Sequence, residues 1–286
     1  PGFGSAAARN GEKFPYLFPI AASYWSQAAA SVKFVMDNWK GDPKALKIAY
    51  IYYDNPAGHE PLPILEALQK QIGFELKTYA VPPPGLEMGP QVLEIARQYH
   101  ADWVISHLFG RAPGVSMKEF TRVGFPRDRI ISFVWGDAES DVKVAGASAS
   151  NGLYGLQFAG VGEDFQPIKD IKAMYAKEGK PAPKSMEVSV YYNRGVLEAA
   201  LHVKAFELAM QKKGPNFTSD DVRDAMQTIH DFGLGGLLPP LNFTAKDHEG
   251  GGWVQVWQVR EGKYYPITKW YQAYPQVLDQ YVYGNG

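Results

Sequence analysis

Lys47-Ile48-Ala49-Tyr50-Ile51-Tyr52-Tyr53-Asp54-Asn55-Pro56-Ala57-Gly58-His59-Glu60 is a β-rich run that breaks into a polar loop containing Pro and Gly and then into a helix. Strand, loop and helix units of this kind repeat along the chain, with their loops at one end of a sheet. In open parallel α/β sheets that end binds small ligands, because the strands stop there and the loops leave a crevice. The run therefore points to an α/β fold that holds a ligand.

Outward from it, Tyr24 to Trp39 carries Ala28, Val32, Val35, Met36 and Trp39 at helical spacing, and Gly41-Asp42-Pro43 stops the helix. After the strand Ile48 to Tyr52, a helix presents Ile64, Leu65, Leu68 and Ile72. Further strands are expected over Phe74–Val81, Ala101–Ile105, Arg129–Val134 and Gly152–Phe158, with helices over Val92–Tyr99 and Val115–Val123. Phe14 to Ile20 is a short extended candidate. Such regular alternation argues for a parallel sheet covered on both faces.

Beyond Ala159 the pattern turns helical, over Pro167–Glu178 and Tyr191–Lys212. The second stretch has Val196, Leu197, Leu201, Val203, Phe206, Leu208 and Met210 on most sides, so deep burial is expected. Thr218-Ser219-Asp220-Asp221 opens a third helix with an N-cap and early acidic residues. After the turn region Gly233–Pro240, the strands Trp253–Val259 and Tyr264–Trp270 flank Glu261-Gly262-Lys263, a hairpin signal. The strands outside the first block are too few for a second full sheet.

Composition narrows the function classes. Lys plus Arg number 29 against 30 Asp plus Glu, so the basic excess of a phosphate-backbone binder is missing and nucleic acid is not an expected partner. No apolar run reaches the roughly 20 residues that span a bilayer. With no cysteine in the sequence, disulfides, thiolate catalysis and Cys-based metal sites are excluded together. The opening Pro1-Gly2-Phe3-Gly4-Ser5-Ala6-Ala7-Ala8 has no initiator Met and reads as the loop after a strand, as in a trimmed chain or one whose preceding portion is absent.

Several motifs, in order, resemble the periplasmic solute-binding proteins of ABC importers, in the leucine/isoleucine/valine-binding branch. They are Gly4-Ser5-Ala6-Ala7, Phe14-Pro15-Tyr16-Leu17-Phe18-Pro19 before Tyr24-Trp25, and Tyr53-Asp54 before Ala57-Gly58. Val123-Gly124-Phe125-Pro126, Tyr192-Asn193-Arg194-Gly195 and Asp247-His248-Glu249-Gly250-Gly251-Gly252 complete the set. The resemblance implies a two-lobed α/β type I periplasmic-binding fold, parallel sheets flanked by helices, three hinge crossovers and a ligand enclosed between the lobes. On that plan residues 1–22 are a remnant of lobe 1, 23–160 form lobe 2, 161–250 return helices to lobe 1, and 251–286 hold the third crossover and the C-terminal segment. The N-terminal part of lobe 1 is then absent. The resemblance also implies a monomeric periplasmic protein that needs no cofactor or metal and docks on a membrane permease.

Carried over position by position, the family pocket gives Ser5 and Ala6 as carboxylate donors through backbone amides and the Ser5 hydroxyl, or else as small residues in a tight turn. Tyr24 is the aromatic candidate at the entry to lobe 2, with Trp25 as core. Many relatives carry Tyr near Ala57, whose small size here leaves room for a bulkier ligand. His59 is a donor or a solvated surface residue. His107 and Phe109 end one strand; Trp135 and Asp137 end the next. Asp137 would pair with a ligand ammonium or accept from a hydroxyl, while Glu139 and Asp141 would face solvent. Trp135 and Phe109 would supply apolar walls or interlobe packing. Tyr191 is a weaker candidate, Arg194 would clamp a carboxylate or, as favoured, pair with an acid at the hinge, and Asp247-His248-Glu249 reads as a hinge turn rather than a metal cluster.

The rival class, an α/β enzyme, lacks its signatures: no nucleophile elbow, Walker loop, dinucleotide glycine motif or His-Glu-x-x-His is present. A ligand-sensing receptor domain shares the fold. The reading favoured is a solute-binding protein for an aromatic or otherwise bulky carboxylate, captured by hinge closure, with branched-chain or other amino acids as the alternative.

Overall fold

Lys47 to Tyr53 alternates side chains between two faces, and all but Lys47 are buried. β-Branched and aromatic residues suit such a strand, and burial on both sides is the mark of a strand inside a parallel sheet. In this computed structural model, which describes residues 4–283, the elements follow in chain order. They are α1 (Ser5–Ala8), α2 (Tyr24–Asn38), β1 (Lys47–Tyr53), α3 (Pro56–His59), α4 (Leu62–Ile72), β2 (Glu75–Val81), α5 (Gly89–Arg97) and β3 (Trp103–His107). Next come α6 (Ala112–Arg122), β4 (Ile130–Ser132), α7 (Glu139–Ala145), α8 (Ala147–Ser150), β5 (Tyr154–Gln157), α9 (Gln166–Lys177), α10 (Ser189–Lys213) and α11 (Ser219–Met226). β6 (Gln255–Arg260), β7 (Lys263–Pro266) and α12 (Pro275–Tyr283) close the chain.

The chain divides into two units. The sheet unit comprises residues 24–157 and 255–278; the helical unit comprises 1–23, 158–254 and 279–286. The sheet unit carries seven strands in the order β2-β1-β3-β4-β5-β6-β7. The first five run parallel, and β6 and β7 add antiparallel. The sheet is thus mixed, mostly parallel and flanked by helices.

One face of the sheet packs Ala49, Ile51, Val81, Val104 and Ile130 against Val92, Ile95, Met117 and Phe120. On the other, Phe34 of α2 meets the rings of Trp103 and Tyr154 edge-on. Gln27 Oε1 accepts the Val134 N–H at 3.2 Å, which satisfies the backbone where β4 has ended. The hairpin between β6 and β7 turns on Glu261 (φ 51°) and Gly262 (φ 77°). Positive φ at both turn residues matches the right-handed twist of the strands.

The helical unit corrects three expectations. Phe14–Ile20 forms turns, not a strand. Pro15 and Pro19 remove two ladder donors there, and Phe18 instead stacks on His248 with centroids 3.9 Å apart. Gly4-Ser5-Ala6-Ala7, read as a loop, begins the helical turn α1 after Gly4 at φ 75°; Pro1, Gly2 and Phe3 lie outside the described residues. α10 is buried along one face only, through Val190, Asn193, Arg194, Leu197, Leu201, Ala205 and Ala209. Of its other apolar side chains, Val203, Phe206 and Met210 are exposed, and Val196 and Leu208 are half-buried. Among the described residues this unit has no sheet for a second face of α10 to pack on. α11 starts as expected: Thr218 and Asp221 form a reciprocal capping box.

Candidate ligand-binding site

β1, β3 and β4 end at the same edge of the sheet, and each brings an aromatic or polar side chain there. His107, the last residue of β3, is fully buried. Its ring lies 4.2 Å from the Tyr24 ring and 4.7 Å from that of Phe133. Phe109 stands 6.3 Å from it and meets Tyr53 edge-on at 4.5 Å. The Trp135 indole N–H donates to the Tyr24 hydroxyl, and burial pushes the Tyr24 phenol well above its usual range. The candidates Tyr24, His107, Phe109 and Trp135 thus form one aromatic cluster in the sheet unit.

Tyr50 completes the cluster, although its place in a buried strand gives no hint of a polar role. Its hydroxyl lies 2.9 Å from the Gly58 carbonyl and 3.1 Å from His107 Nδ1. Its ring stacks on Tyr52 at 4.9 Å. Burial lowers the His107 imidazole to about 3, so it is neutral near pH 7. A buried neutral imidazole among rings offers one donor and one acceptor and no charge.

Asp137 follows a different course. Its carboxylate is buried against Gly155 of β5, and its backbone carbonyl accepts from Gln157 Nε2 at 3.0 Å. The Tyr264 hydroxyl is turned toward it; burial first, and the Asp137 charge after it, hold that phenol well above its usual range. His59 ends α3, half-exposed, with Nε2 2.8 Å from Asp54. Ala57 is buried. Asp141, expected in solvent, is buried and accepts the Ala138 N–H at 3.0 Å as a cap for α7.

The remaining candidates belong to the helical unit. Ser5 is fully buried and Ala6 exposed. Tyr191 is partly exposed, with the Arg194 guanidinium 5.5 Å from its ring. Arg194 itself is buried, 4.5 Å over Phe158. In the Asp247-His248-Glu249 stretch, Asp247 Oδ1 accepts the Glu249 and Gly250 N–H groups. The Glu249 carboxylate accepts from Arg9 and from the Ser23 N–H. Among the described residues no group of three or more His, Asp or Glu side chains converges to hold a metal ion. No described helix is long and apolar enough to cross a membrane.

The profile of the family described as "Periplasmic binding protein" matches residues 1–263. The chain belongs to this periplasmic binding protein family. A protein of the Pseudomonas fluorescens group, described as an ABC transporter permease, is 33% identical over 96% of this chain and 69% of its own, with a TM-score of 0.88. A branched-chain amino acid ABC transporter protein from Thermus thermophilus, solved with bound valine, is 20% identical over 92% and 69%, with a TM-score of 0.77. A fatty acid ABC transporter substrate-binding protein from Thermomonospora curvata is 18% identical over 93% and 67%, with a TM-score of 0.75. These last two share the fold. No curated protein matches the chain. Members of the periplasmic binding protein family are solute-binding proteins rather than enzymes.

Proposed function

We propose that this chain is an extracytoplasmic, monomeric solute-binding protein that captures a small carboxylate by hinge closure and delivers it to the permease of an ABC importer. An aromatic or otherwise bulky acid is the favoured ligand. The observation that carries this reading is the cluster of Tyr24, His107, Phe109 and Trp135 where β3 and β4 end. Flat rings with few polar groups suit enclosed small-molecule sites. Ser5, Ala6 and Tyr191 enter as contributions from the helical unit, and His59 and Asp137 as further contacts from the sheet unit.

The second reading is amino acid binding, with Asp137 as the ammonium partner. A buried carboxylate favours it; the packing of that carboxylate onto Gly155 weighs against it. A tryptophan-fluorescence titration with 4-hydroxybenzoate, cinnamate, leucine, isoleucine and valine separates the two. Saturation by an aromatic acid alone, lost in Trp135→Ala, supports the first. Saturation by leucine alone, lost in Asp137→Ala, replaces it with the second.

A further inference from the structure

The two contacts of the Tyr50 hydroxyl decide where His107 carries its proton. A phenol has one proton to give, and the Gly58 carbonyl can only accept. Both contacts, at 2.9 Å and 3.1 Å, are hydrogen bonds only if Tyr50 donates to Gly58 and His107 donates from Nδ1 to Tyr50. The opposite tautomer would set two bare oxygens 2.9 Å apart. The Nδ1–H form leaves Nε2 with an exposed lone pair and no hydrogen.

Nε2 is buried, and no described group bonds it. The rings of Tyr24, Phe133 and Phe109 surround the imidazole and offer it no donor in place of water. Such an acceptor carries a desolvation cost that any arriving O–H or N–H would relieve. His107 ends β3 at the edge where ligands of open α/β sheets bind. Tyr24, whose ring meets the imidazole edge-on at 4.2 Å, opens α2.

We propose that His107 is a specificity residue: its bare Nε2 accepts a hydrogen bond from the bound solute, so the protein selects acids that carry a hydroxyl or amino donor over those that lack one. Tyr50 sets this choice by fixing the tautomer. This inference rests on the solute-binding reading above, and it adds a requirement on the ligand that aromatic walls alone do not impose.

The test uses the full chain and two matched probe pairs, 4-hydroxybenzoate with benzoate and leucine with 4-methylpentanoate, titrated by calorimetry. The wild type is expected to prefer the donor-bearing member of at least one pair by about tenfold, the worth of one hydrogen bond of some 1.4 kcal/mol. His107→Phe keeps a ring of similar size and should abolish that preference. Tyr50→Phe frees the tautomer and should reduce the preference with His107 intact. If the preference survives in His107→Phe, or the wild type binds both members equally, this inference falls and the solute-binding reading stands. If no probe binds the wild type, both fall. Nitrogen-15 shifts of the labelled imidazole supply a readout independent of affinity: a proton on Nδ1 and a free Nε2 are expected, and a proton on Nε2 overturns the inference.

Discussion

A Cβ atom placed on Gly155 would fall 1.7 Å from Oδ2 of Asp137, so the carboxylate rests directly on the backbone of β5. Glycine is therefore the residue that lets Asp137 occupy this position. Gly155→Ala should drive the carboxylate out and cost at least the ~1–3 kcal/mol typical of an overfilled site. Asp137→Ala removes the obstacle, and the double variant should lose less than the sum of the two singles. Urea midpoints of the four chains check this; simple additivity would show that the two residues do not share the space.

Acid should destabilise the sheet unit through His107. Burial holds its imidazole at about 3, below the ordinary value of about 6.5. Between those pH values the unfolded chain binds a proton that the folded chain refuses. The stability linked to this group is complete above about pH 6.5 and is lost as pH falls toward 3, by about 1.4 kcal/mol per pH unit. His107→Gln should flatten that part of the stability profile. An unchanged slope would mean that the ring takes up its proton inside the fold.

In the helical unit, Thr218 accepts the Asp221 N–H while Asp221 bonds the Thr218 N–H and hydroxyl. Thr218→Ala should cost about 1 kcal/mol, the usual worth of an N-cap, and Thr218→Ser should restore most of it. Amide exchange over residues 219–226 would report the change first, since fraying begins at the cap.

Glu249 ties the segment before α2 to the loop after residue 246. Its side chain is fully buried and pairs with Arg9 at 3.4 Å, and Arg9 in turn reaches Asp279 at 2.7 Å. Glu249→Leu strips a buried pair of one partner and should cost about 3–5 kcal/mol. Glu249→Gln, which still accepts the Ser23 N–H, should fall between that variant and the wild type. Limited proteolysis across residues 9–23 distinguishes them; equal resistance in all three would remove the tether from the account.

Local pattern was enough where neighbours in sequence are neighbours in space. The buried run at Ile48–Tyr53, the Thr218 capping box and the hairpin at Glu261-Gly262 are all readable because a few consecutive residues set each one. The small, polar stretch of α7 and α8 carries no comparable period, and neither helix was foreseen. Phe14–Ile20 shows the converse: the segment reads as a short extended candidate, but the stack of Phe18 on His248 depends on a residue far along the chain. At the candidate site the strand-end residues His107, Phe109, Trp135 and Asp137 were legible from position. The Tyr50–His107 bond joins two strands and the seat of Asp137 on Gly155 joins a loop to a strand, and no sequence period records such pairings.

The antiparallel addition of β6 has a kinetic consequence. Gly155 pairs with Trp257, so β5 meets its neighbour only after about 100 further residues have been made. At about 5–20 residues per second, a growing chain spends about 5–20 s with β5 as an open strand edge, the kind of template on which aggregation starts. Loop closure over that distance adds only logarithmically to the entropy cost, so the delay is one of synthesis rather than of search. A chain that stops before Gln255 would therefore keep β5 as an open edge, and the hairpin of residues 255–266 is what covers it.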